Sequence, residues 1–115
     1  MNAAMTALRP GDLAPYPVLT ELRWGAGEDP MSKAVWYTAA DTARGLVLVL
    51  CAPCSESWLG APHGWSWTIF DRAGSRPGPG AESSSGHRTA TEAAAELAEA
   101  YTRLASERWS VLSGA

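Results

Sequence analysis

Between Thr89 and Trp109 the chain has the pattern of a single element, a helix with one narrow apolar stripe. Thr89 and Glu92 stand three apart as a capping box, in which each side chain satisfies the other's free backbone N–H. Alanine-rich sequence of high helix propensity follows, and Ala94, Leu97, Tyr101 and Leu104 recur at helical spacing. Glu99 and Arg103 stand four apart in the order that supports a helix, and Gly114 lies beyond its end. A stripe of this kind has to be buried against a second layer. The apolar sequence before Thr89 has the period of strands, which fixes the expected class as α+β. The expected architecture is a four- or five-stranded, mainly antiparallel sheet with the helix packed on one face.

The clearest strand pair is Lys33 to Ala39, rich in β-branched and aromatic residues, and Gly45 to Cys51, nearly continuous leucine and valine. Between them Asp41 can bond its own backbone and Gly45 can take positive φ, so a hairpin is expected. Val18 to Trp24 alternates in part and reads as a half-buried strand. Trp65 to Arg72 alternates fully, with Trp65, Trp67 and Ile69 on one face and Ser66, Thr68 and Phe70 on the other. Ala81 to His87 is a candidate short last strand after a flexible insertion at Ser75 to Gly80. Cys51 to Gly64 is a loop. Leu97, Tyr101 and Leu104 are expected to meet Val47, Val49, Trp67 and Ile69.

The division expected is a Pro-rich extended leader over residues 1–17 and a single α+β domain over 18–115. Pro10, Pro15 and Pro17 argue against a helix in the leader. At 115 residues, 46% hydrophobic and 18% charged, the composition is that of a globular domain whose core depends on a few large side chains, above all six tryptophans. No basic segment followed by an apolar one opens the sequence, and the longest apolar run, Leu46 to Ala52, is far too short to span a bilayer. A cytoplasmic location, with no membrane partner and with reduced cysteines, is the expectation. Eight arginines to one lysine, with abundant alanine, suggest a GC-rich bacterial or phage genome. Net charge is -3 and the basic residues are scattered singly, so a nucleic-acid partner is not expected.

Four features bear on chemistry. Cys51 and Cys54 have the spacing of a redox pair or a zinc knuckle. No helical pattern follows Cys54, against a redox role. His63 and His87 would complete four zinc ligands, although the second pair of a knuckle is normally close in sequence. Without zinc, Cys51 ends a strand as a small apolar residue. The third feature is aromatic: Trp58, Trp65 and Trp67 lie near Trp36 and Tyr37 of the neighbouring hairpin. Trp36 and Trp67 are expected inside, whereas Trp58 in its Gly/Pro loop is the expected exposed anchor. With Trp65, Tyr37 and Arg72 it forms the candidate partner-binding set. Fourth, Ser83, Ser84 and Ser85 beside His87 lack any nucleophile-elbow pattern, and no catalytic residue is assigned.

Trp65-Ser66-Trp67, Ile69, Gly74 and Ser84-x-Gly86-His87-x-Thr89 carry a resemblance of Gly64 to Ala105 to the small bacterial YegP-like family. The resemblance implies a fold, three antiparallel strands followed by one helix, and brings no chemistry with it. The family has a tyrosine at the His87 position and a shorter turn at Ser75 to Gly80.

Together these features predict a small non-catalytic protein-binding module (regulator, inhibitor or accessory subunit) without cofactor, whose partner is another protein or itself as a homodimer. The alternatives are a zinc-stabilised domain using Cys51 and Cys54, and an enzyme or small-molecule-binding protein of unrecognised type.

Overall fold

A computed structural model describes residues 8–28, 35–53, 64–78, 80–83 and 86–112, with side chains to residue 107. Four strands, β1 (Trp24–Glu28), β2 (Val35–Asp41), β3 (Leu46–Cys51) and β4 (Ser66–Asp71), form one antiparallel sheet in the order β1-β2-β3-β4. Two helical turns, α1 (Pro10–Leu13) and α2 (Pro17–Thr20), precede the sheet, and α3 (Ala90–Leu112) follows it. All three helices share one side: α3 packs on β3 and β4, and α1 and α2 pack on α3. The α+β architecture expected from the sequence is the one observed.

The β2–β3 hairpin closes by the expected turn chemistry. Asp41 Oδ1 accepts a hydrogen bond from the Arg44 N–H at 3.1 Å, and Gly45 takes φ 69°. A side chain at Gly45 would be strained by that φ and would also meet the Arg72 side chain, whose Nη2 donates to the Thr42 carbonyl at 2.8 Å. At the other end of the sequence α3 is capped by Thr89, whose Oγ1 accepts from the Glu92 N–H at 3.2 Å. The reciprocal arm differs by one residue: Glu92 accepts from the Arg88 N–H. Ala94, Leu97, Tyr101 and Leu104 are all buried, so the helical stripe is the core face of α3.

Phase along β3 departs from expectation. Leu46, Leu48 and Leu50 face the helix with no exposed surface, and Val47, Val49 and Cys51 face the other way, half-buried. The helix therefore packs against the leucines, not against Val47 and Val49; Trp67 and Ile69 of β4 are on the helix side as expected. Val18 to Trp24 is not a strand: its first residues form α2, and β1 starts only at Trp24 and runs through the glycines. Ala81 to His87 contributes only isolated bridges, Thr68 to Glu82 and Trp65 to His87, among the described residues.

The N-terminal segment is also helical where an extended chain was expected. Pro10 and Pro17 occupy first-turn positions, where the missing N–H costs nothing and the fixed φ suits a helix. Leu13 and Leu19 enter the same core as Leu97 and Leu48. Burying Leu19 completely is worth about 1.5–3 kcal/mol. Polar ties reinforce the docking: Tyr16 Oη donates to the Thr91 carbonyl at 3.2 Å, Trp24 Nε1 to the Leu19 carbonyl at 2.8 Å, and the Leu8 N–H to Tyr37 Oη at 3.1 Å.

Candidate functional site

Register and alternation divide the strands into two faces with different chemistry. Toward the helices point Tyr37, Ala39 and Asp41 of β2, the three leucines of β3, and Trp67, Ile69 and Asp71 of β4. The opposite face is built in rows. Trp36, Cys51 and Ser66 form one, Thr38, Val49 and Thr68 the middle one, and Ala40, Val47 and Phe70 the third. On β1, Gly27 and Gly25 continue the first two rows. The indole of Trp36 lies across Gly27, where a Cβ would stand 2.4 Å from Nε1.

No charged residue occupies these strand positions, but Glu82, bridged to Thr68, extends the middle row with a carboxylate that pairs with Arg76 Nη2 at 2.7 Å. Glu28, Asp41 and Asp71 all fall on the helix side by register, and Arg72 stands at the hairpin end. Among the described residues, Trp36, Val47, Val49 and Phe70 belong neither to the core cluster nor to the side chains packed against it. At ~4.8 Å between strands and ~3.3 Å per residue, the face measures roughly 19 by 17 Å, or about 320 Å² in projection.

The helix side holds two polar clusters that the sequence did not signal. Asp41, 6% exposed, is the only buried charged residue among those described. Its Oδ2 accepts from Tyr101 Oη at 2.5 Å and from Arg44 Nη1 at 3.0 Å. Burial works against ionisation of Asp41, but the hydrogen bonds from Tyr101 and Arg44 and the guanidinium charge outweigh it and hold the carboxyl below its ordinary value. Burial first, and the Asp41 carboxylate second, push the Tyr101 hydroxyl up to about 12. A cleft of about 440 Å³ opens beside this cluster between Val18, Leu22 and Ala105. The Asp41 lone pairs are engaged within the chain, and Thr102 Oγ1 donates to the Ala98 carbonyl, so the cluster's evident work is to pin α3 to the hairpin. In the second cluster Trp67 Nε1 donates to Glu96 Oε1 at 2.9 Å, and His87 Nε2 lies 3.3 Å from the same oxygen without hydrogen-bond geometry.

The residues singled out from the sequence scatter. Trp65 is 3% exposed and stacks on Tyr37 with ring centroids 6.2 Å apart, so this pair belongs to the helix side and not to a partner surface. The reason is phase: Trp65 shares its face with Trp67, which the core requires. Trp36, expected inside, is instead on the face opposite the helices, because it alternates with Tyr37. Arg72 is exposed at the margin of that face. Cys51 faces away from the helices, with burial raising its thiol pKa, whereas His87 contacts Glu96 on the helix side; the two are not brought together. Trp58, Cys54 and His63 lie outside the described residues. Among the described residues no three metal-binding side chains cluster, and no helix is long and apolar enough to cross a membrane.

No family model, curated protein or solved structure matches the chain. The YegP-like resemblance therefore stands on its quoted residues alone. In that stretch the structure has one full strand, two bridges and α3 among the described residues.

Proposed function

We propose that the chain is a non-catalytic protein-binding module, acting as a regulator, inhibitor or accessory subunit, and that the sheet face opposite the helices is its binding surface. One observation supports the reading: rows of valine, threonine and aromatic side chains of the kind that normally fill a sandwich interior stand here with no second layer on them among the described residues. A contiguous apolar area of a few hundred Å² with few polar interruptions is the mark of an interaction site. Trp36 and Phe70 supply the aromatic anchors that dominate interface energies. Arg72 supplies a cation at the margin.

The test is affinity capture from cell extract on immobilised protein, comparing wild type with Val49→Glu. The carboxylate is placed mid-face at a partly buried position outside the core cluster, so the variant should keep its fold while losing captured protein, a second copy included. Equal capture by both proteins would put the binding surface elsewhere.

A further inference from the structure

We draw no further inference here: the strongest candidate, the cleft of about 440 Å³ between α2, the β2–β3 turn and α3, holds Asp41, Arg44 and Tyr101 bonded to one another as the structural cluster already described, and nothing in the structure shows what ligand would enter it.

Discussion

Replacing Tyr101 by phenylalanine tests the tie between α3 and the hairpin with little change in volume. The hydroxyl donates to Asp41 across 2.5 Å, and both residues are 6% exposed. Phenylalanine keeps the ring packed in the core but removes one of the three donors that the Asp41 carboxylate uses. Hydrogen bonds to a charged group are worth about 1.5–3 kcal/mol. Two donors from Arg44 survive, so the loss should fall near the lower half of that range, about 2 kcal/mol. For a chain of this size each kcal/mol moves the melting temperature by roughly 3–6 °C, giving a decrease of about 6–12 °C at neutral pH. The pH dependence has a definite sign. The folded-state pKa of Asp41 is below its ordinary 3.8, so its linked stability is present above that value and lost as pH falls through the folded one. Tyr101 carries part of that stability, so the gap between wild type and variant should be full at neutral pH and close under acid. Thermal melts followed by circular dichroism across this range measure both. A variant melting within a degree of wild type at neutral pH, or a gap that does not narrow in acid, would refute the assignment.

Three further outcomes follow from the same structure. Leu97→Asp places an unpaired carboxylate on the fully buried stripe of α3 and should cost several kcal/mol, about 3–5, read as loss of cooperative unfolding or a steep fall in denaturant midpoint; an unchanged midpoint would show the stripe misassigned. Gly45→Ala combines φ 69° with a Cβ 2.8 Å from the Arg72 Nε and should destabilise by about 1–2 kcal/mol, whereas Gly74→Ala, with open space around it, should show only the cost of its φ of 81°. In alkali the Tyr101 value of about 12 lies above its ordinary 10, so its linked stability is present below pH 10 and lost as pH rises through 12. Absorbance at 295 nm should show one late-ionising tyrosine, absent from Tyr101→Phe.

Where a pattern had contrast, the sequence was sufficient. α3 was legible from Thr89, Glu92 and the Leu97 stripe because a helix with polar residues on three sides has one way to face a core. β4 was legible with its phase, since Trp67 and Ile69 alternate with serine and threonine. The β2–β3 hairpin was legible because Asp41 and Gly45 each have a conformation that the turn requires. Where contrast was missing, pattern failed. In Leu46 to Cys51 every residue is apolar, so periodicity identifies a strand but not which edge of it is inside; the leucines face α3 only because of how β3 registers with β4. The same ambiguity misplaced Trp36, whereas Trp65 was read on the correct face with Trp67 but is buried there. Pro10 and Pro17 read as breakers because proline excludes itself from helix interiors, yet each begins a turn that buries Leu13 or Leu19. The Asp41–Tyr101 bond joins residues sixty positions apart and leaves no local trace. Local chemistry determined which elements form, because capping, turn and periodicity energies act within a few residues. Tertiary structure decided which faces those elements show, because burial depends on partners that only the fold brings near.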